Sequence, residues 1–146
     1  MSMLAHNDRA LISACADLYA AAFAEDPWNE SFDRAALEAY LAAYCDRAGL
    51  HFFACLQENR PIGVALCSII PSVEGDFARI EDFCIAPADQ GRGFGSAFLD
   101  EVCAALKNLG CDSALLATQR DFPAHRFYAK NGFVPLDTSV QLFRQF

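Results

Sequence analysis

Glycine stands at three alternate positions in Gln90-Gly91-Arg92-Gly93-Phe94-Gly95-Ser96, with an arginine among them. Glycine takes backbone angles that other residues avoid, so such a run turns tightly with its N–H groups pointing outward. An apolar stretch ending in Phe83-Cys84-Ile85 enters this turn, and an amphipathic stretch leaves it. Free N–H groups at the start of a helix, together with the positive end of its dipole, bind anions. Arg92 adds a full charge and the planar fork that suits phosphate oxygens. Three phosphate loops compete for this segment. A Walker A loop needs Lys-Ser or Lys-Thr after its last glycine, and neither follows here. A dinucleotide fingerprint needs glycine where Ser96 stands and an acidic strand end further on, which residues 112–118 lack. The third pattern is Gln or Arg, two residues, Gly, one residue, then Gly or Ala. Gln90, Gly93 and Gly95 satisfy it at each fixed position.

Other residues able to do chemistry lie near this loop or apart from it. Glu81 and Asp82 sit side by side just ahead of it. On a regular strand their side chains point to opposite faces, so at most one faces a cleft. Arg79 shares the face of Glu81 and suits a surface ion pair with it. Trp28 lies among three carboxylates in Glu25-Asp26-Pro27-Trp28-Asn29-Glu30. There it can hold a cation by ring face and charge, or plug a gap between helices. His51 and His125 have no ligand-spaced partners and read as strand-end and helix-surface residues, so no metal is expected.

The elements that position these groups follow from periodicity. Asp8 caps a helix over 8–24, and a second begins after Ser31 and stops at Gly49. His51–Leu56 and Ile62–Ile70 read as a hairpin, and Phe77–Ala86 as a third strand. A helix over 93–109 buries Phe94, Phe98, Val102, Leu106 and Leu109. Ser113–Thr118 is a buried strand, Pro123 opens a short helix to about Lys130, and 133–136 and 139–146 read as two last strands. Hairpins demand antiparallel pairs and a βαβ crossover a parallel one, so the expectation is one α/β domain over 1–146 with a mixed sheet.

The strand, loop and helix IEDFCIAPADQGRGFGSAFL, followed by Ala124-His125-Arg126-Phe127-Tyr128-Ala129-Lys130-Asn131-Gly132-Phe133, resembles the GNAT superfamily of acyl-CoA-dependent N-acetyltransferases. The first segment is similar to its acetyl-CoA-binding motif. The second is similar to its signature A-x-x-F-Y-x-x-x-G-F, and the element order matches from residue 8 to 146. The resemblance implies a mixed central sheet of about six to seven strands flanked by about four helices. Its usual first strand is hard to find, because only Ser2–His6 precede the first helix, and it is expected very short or absent.

The resemblance also implies roles. Gln90, Gly91 and the backbone N–H groups of Arg92, Gly93, Phe94, Gly95 and Ser96 hold the coenzyme pyrophosphate. The backbone of Phe83, Cys84 and Ile85 pairs with the pantetheine arm, beside a β-bulge that splays the strand. Acetyl transfer to an amine needs a base for the ammonium and an acid for the departing thiolate. Tyr128 holds the family's acid position. Glu81 is favoured as base, directly or through a water, with Asp82 orienting the amine or simply solvated. Asp121 stands where the family often has an Asn that reaches the pantetheine. An ionised Asp donates no hydrogen bond, and helix capping is its other reading. The linker carrying Trp28 and Glu30 walls the acceptor pocket. The partners implied are acetyl-CoA and an amine, with a non-catalytic acyl-CoA-binding regulatory module as the alternative. Another acyl group, such as succinyl or propionyl, also fits. Homodimers are frequent in the family, and the alternating apolar residues of Ser139–Phe146 suit pairing across an interface.

Composition sets the frame. The chain has 146 residues, 54% hydrophobic and 21% charged, which excludes a disordered chain. With 11 Lys and Arg against 19 Asp and Glu, the formal net charge is −8. No cationic face is expected for nucleic acid or an anionic membrane, and acidity favours a cationic ligand. Seven cysteines without metal spacing read as reduced thiols of a cytoplasmic protein. The N-terminal residues lack signal-peptide character, and no apolar run is long enough to span a membrane.

Overall fold

The computed structural model describes residues 2–146. Its elements are β1 (Ser2–His6), α1 (Ile12–Ala24), α2 (Arg34–Asp46), β2 (Leu50–Gln57), β3 (Arg60–Ile70), β4 (Phe77–Ile85), α3 (Phe94–Asn108), β5 (Ala114–Leu115) and α4 (Pro123–Lys130). Single 3₁₀ turns at Arg9–Leu11 and Pro87–Asp89 precede α1 and α3. The sheet runs in the order β1-β2-β3-β4-β5, antiparallel except for the parallel β4–β5 pair. That parallel pair needs a crossover helix, which α3 supplies.

The β2–β3 hairpin closes through Glu58 and Asn59, both at positive φ (50° and 62°). Two left-handed residues give a turn whose twist matches that of the flanking strands. β2 and β3 read as near-continuous apolar runs because both of their faces are covered. On one face Phe52, Ala54, Val64, Leu66 and Cys84 pack against α1 and α2. On the other Phe53, Cys55, Ile62, Ala65 and Ile85 pack against Phe98, Val102 and Leu106 of α3.

Register on β4 breaks once. Asp82 pairs with Leu66 and Ile80 with Cys67, which leaves Glu81 without an opposite residue. This is a β-bulge, and it reverses the facing of the residues after it. Ala78 and Ile80 face α3 before it, as do Phe83 and Ile85 beyond it. Glu81 and Asp82 therefore share the α1–α2 face. Expectation from a regular strand, with the two on opposite faces, is corrected.

Other expectations are corrected as well. The sheet has five strands, not six to seven. β1 is a five-residue strand paired along its full length with β2, so the first strand is present. The expected strand over 113–118 shrinks to Ala114–Leu115, which pair with Ala78 and Arg79. Beyond Arg79 the two strands part. The segments 133–136 and 139–146 form no strand, and residues 134–146 are exposed, with Leu142 at 91%. β-Propensity makes a strand only where a partner edge lies alongside. Asp33, not Ser31, caps α2 through a bond to the Ala36 N–H at 2.9 Å.

Candidate active site

β4 delivers the chain into the glycine turn, and buried groups fix that delivery. Asp89 is 3% exposed and takes two hydrogen bonds from Arg60 at the start of β3, at 3.0 and 3.1 Å. Arg92 adds a longer ion pair to the same carboxylate at 3.6 Å. The bond from Arg60 holds the Asp89 carboxyl below its ordinary range, against the opposing effect of burial. Gln90 donates from Nε2 to the Ile85 carbonyl at 2.9 Å and ties the turn to the strand end.

Gly91 and Gly93 sit at φ +74° and +86°, a region that favours glycine, and a Cβ on either meets open space. Gly93 is the N-cap of α3, and no side chain caps the helix. The first intrahelical bond runs from Ala97 N–H to the Gly93 carbonyl at 3.3 Å. The N–H groups of Phe94, Gly95 and Ser96 thus have no acceptor within the helix, as at every uncapped N-terminus. The Arg92 guanidinium lies over the Phe94 ring at 5.0 Å, beside these donors. A cluster of N–H donors, a helix dipole and a nearby cation suits a polyphosphate. This donor set fits the coenzyme's pyrophosphate.

Ahead of the turn, the last residues of β4 pair only with β3, because β5 has already parted from them. Their other backbone edge is open, as an added extended chain requires. The Cys84 side chain is buried on the α1 face, and burial pushes its thiol up, so only its backbone can serve a ligand. Phe83 stacks on Phe98 (5.1 Å) and Phe127 (5.7 Å) and meets Tyr128 edge-on at 6.3 Å. Tyr128 of α4 is thus beside the strand end. Burial raises its phenol, with the charges of Cys84 and Asp82 adding to the effect, so it stays protonated.

Both carboxylates of the bulge face α1 and α2. Glu81 Oε1 accepts from Ser68 Oγ at 3.3 Å and pairs with Arg79 Nε at 3.4 Å, the ion pair that the spacing anticipates. Asp82 Oδ2 accepts from the hydroxyls of Tyr19 (3.1 Å) and Tyr40 (2.5 Å). Burial raises the Asp82 carboxyl, the two phenols pull it down, and Glu81 and Glu30 push it up again; the net direction is upward. Tyr19 and Tyr40 were invisible as site residues in the sequence, where both fall on the apolar stripes of amphipathic helices.

The remaining candidates are scattered. Trp28 packs edge-on against Phe23 (5.5 Å) and Phe122 (5.9 Å) and borders a small cleft of about 250 Å³ with Thr118 and Gln119. These contacts suit the plugging role, and Trp28 also lies on the wall of that cleft. Glu30 is exposed, and its charge reaches Tyr19 and Asp82. Asp121 does not cap α4: Phe122 is the N-cap and carries no side-chain cap bond. His51 does have a partner, since its Nδ1 lies 2.8 Å from His6 Nε2. Among the described residues no group of three or more ligands is arranged for a metal, and no helix is long and apolar enough to cross a membrane. A larger cleft of about 1240 Å³ opens between α3, β5 and the exposed chain after α4, with Tyr128 and Arg79 on its wall.

Comparison with solved structures gives the same architecture over nearly the whole chain. An aminoglycoside acetyltransferase from an uncultured soil metagenomic sample, in complex with sisomicin, matches with TM-score 0.78 at 16% identity, covering 99% of this chain and 96% of the other. The aminoglycoside N-acetyltransferase AAC(6')-Iy in complex with CoA matches with TM-score 0.80 at 16% identity, covering 99% and 95%. A transcriptional regulator from Bacillus halodurans C-125 matches with TM-score 0.81 at 17% identity, covering all of both chains. At these identities the likeness speaks for the fold. Comparison with curated protein sequences gives no significant match. The sequence profile described as the acetyltransferase (GNAT) family matches residues 13–133, the span that holds the bulged strand, the glycine turn and α4, and the chain belongs to that family.

Proposed function

We propose that this chain is an N-acetyltransferase that moves acetyl from acetyl-CoA to a primary amine by direct transfer in a ternary complex. The observation that carries this reading is the open edge of β4, which runs into a turn of unsatisfied N–H donors with two carboxylates facing one side. The coenzyme's pyrophosphate binds at Gln90–Ser96, and its pantetheine arm lies along the backbone of Phe83–Ile85. One carboxylate of the bulge, Glu81 or Asp82, takes a proton from the ammonium, and the second proton leaves the nitrogen after the C–N bond forms. The nitrogen lone pair then forms a C–N bond to the thioester carbonyl carbon. The C–S bond breaks, and the thiolate takes a proton from Tyr128. Acidity around the acceptor side, including Glu30, favours a cationic amine.

The test is direct. Purified protein with acetyl-CoA and an amine panel should release free thiol, read by a disulfide chromophore, in proportion to acetylated amine found by mass spectrometry. Measurable CoA binding with no thiol from any amine overturns the reading and leaves a non-catalytic acyl-CoA-binding module.

A further inference from the structure

Tyr19 and Tyr40 come from different helices, yet their hydroxyls converge on one carboxylate oxygen, Asp82 Oδ2, at 3.1 and 2.5 Å. Neither bond uses Oδ1. We propose that Tyr19 and Tyr40 are positioning residues that hold Asp82 by Oδ2 and leave Oδ1 to the acceptor's ammonium, so that Asp82 rather than Glu81 takes the proton. This inference rests on the acetyl-transfer reading.

Three observations separate the two carboxylates. Glu81 is already engaged at Oε1 by the Arg79 guanidinium and the Ser68 hydroxyl, and it lies open to water. A proton arriving there displaces a charged partner. Among the described residues Asp82 has no cationic partner, and burial raises its carboxyl above the ordinary value, which makes it a better proton acceptor. Asp82 directly precedes Phe83, whose ring meets Tyr128 edge-on at 6.3 Å, so the proposed base and acid flank the same strand end. The groups facing Asp82 are Tyr19 from α1, Tyr40 and Tyr44 from α2, Glu81 and Cys84 from β4, Glu30 from the α1–α2 linker and Tyr128 from α4.

The tyrosines have two effects. They stop the carboxylate from rotating and leave the lone pairs of Oδ1 free. They also stabilise its charged form, in opposition to burial. The protons balance as follows. The ammonium gives one to Oδ1 before attack. After the C–N bond forms, the second replaces the one that Tyr128 gave to sulfur. Asp82 then returns its proton to water, and each turnover releases one.

The test uses Tyr19→Phe, Tyr40→Phe, Asp82→Asn and Glu81→Gln in the full chain. Each phenylalanine removes one donor from the charged form, so the acidic limb of the kcat/KM profile should move up by about one pH unit. KM for the amine should change by less than about threefold, because the amine's own contact at Oδ1 is kept. Asp82→Asn should lower kcat about 100-fold or more, while Glu81→Gln should leave the limb in place and cost less than about tenfold. An independent arm follows the carboxyl carbon of Asp82 by ¹³C NMR in the wild type and both phenylalanine variants, with no substrate present. Its titration should shift upward in each variant. A limb that vanishes in Glu81→Gln, or an Asp82 titration unmoved by both variants, overturns the inference. If the wild type releases no thiol with any amine, the acetyl-transfer reading and the base assignment fall, while the NMR arm still decides whether the phenols control Asp82.

Discussion

Replacing Gly93 by alanine separates a phosphate-binding turn from an ordinary strand-to-helix turn, provided that Gly110→Ala is made beside it. Gly93 heads α3 and Gly110 follows its last turn, at φ +86° and +104°. At both positions an added Cβ meets nothing within 4 Å, so neither methyl clashes with the protein. The intrinsic cost is then the left-handed backbone alone, about 1–2 kcal/mol at each site. That corresponds to a Tm lowered by roughly 3–8 °C for a chain of this length. The two variants should therefore be equally destabilised. They should differ in CoA binding. At Gly93 the methyl projects at the end of α3 that carries the free N–H groups of Phe94, Gly95 and Ser96, while at Gly110 it is at the far end of the helix. Loss of one charge-assisted hydrogen bond is about 1.5–3 kcal/mol, so CoA affinity should fall roughly 10- to 100-fold in Gly93→Ala and stay unchanged in Gly110→Ala. Calorimetric titration with CoA gives the affinities, and thermal melts without ligand give the shared strain. Equal CoA affinities in the two variants, with equal melts, would refute the assignment of the turn to phosphates.

Three further outcomes follow from the packing around the site. Asp82→Asn should raise Tm at pH 7, by about 0.5–2 kcal/mol of stability, because it removes a half-buried charge. The sign is set by the raised carboxyl: its stabilisation is complete below the ordinary value of 3.8 and is lost as pH rises through the folded value, so the variant's advantage should fade in acid. Asp89→Asn should do the opposite. The Arg60 partner depresses that carboxyl, so its contribution is present above 3.8 and lost as pH falls through the folded value. The variant should lose about 1–2 kcal/mol at pH 7, little in strong acid, and bind CoA more weakly as the turn loosens. Gly63→Ala sets a Cβ at 2.8 Å from Ile85 Cδ1 and 3.1 Å from the Phe98 ring. Overpacking there should cost about 1–3 kcal/mol in denaturant melts and, by shifting the strand end, also weaken CoA binding.

What the sequence revealed was local. Alternate glycines encode their own backbone angles, and helical stripes encode which face is buried, so the turn, α1, α2, α3 and α4 were all legible. The bulge was not, because it depends on how many residues of β4 oppose β3. A trace of it does exist in the sequence. Ala78 and Ile80 occupy even positions on the α3 face, whereas Phe83 and Ile85 occupy odd ones. Such a change of parity within one strand marks an inserted residue. Tyr19 and Tyr40 were hidden for a different reason. Their rings satisfy a helix stripe, and only the tertiary fold shows where the hydroxyls go. The missing last strands show the converse limit. The residues at 139–146 alternate well enough for a strand, but a ladder needs an edge, and the edge of β5 is two residues long.

The bulge also explains how one strand serves two opposed proton needs. Its free edge is the seat proposed for the thioester. Phe83 and Ile85 face α3 and bring the strand end to Tyr128, while Asp82 faces α1 and α2. In direct contact a carboxylate and a phenol would hydrogen-bond to each other and leave neither free for the substrate. Here Asp82, the proposed base, is held by Tyr19 and Tyr40, and Tyr128, the proposed acid, packs against Phe83, Phe127 and Phe133. The charge of Asp82 still reaches Tyr128 and pushes its phenol further up. The acid therefore stays protonated while the base is charged, which is the resting state that the proposed reaction needs. In the proposed reaction, protonation of Asp82 by the ammonium removes that influence and makes Tyr128 a better donor to the departing sulfur. The net charge of −8 belongs to the same logic. The proposed phosphate site uses N–H groups and Arg92 at one end of β4, which leaves Asp82 at the bulge for the proposed amine.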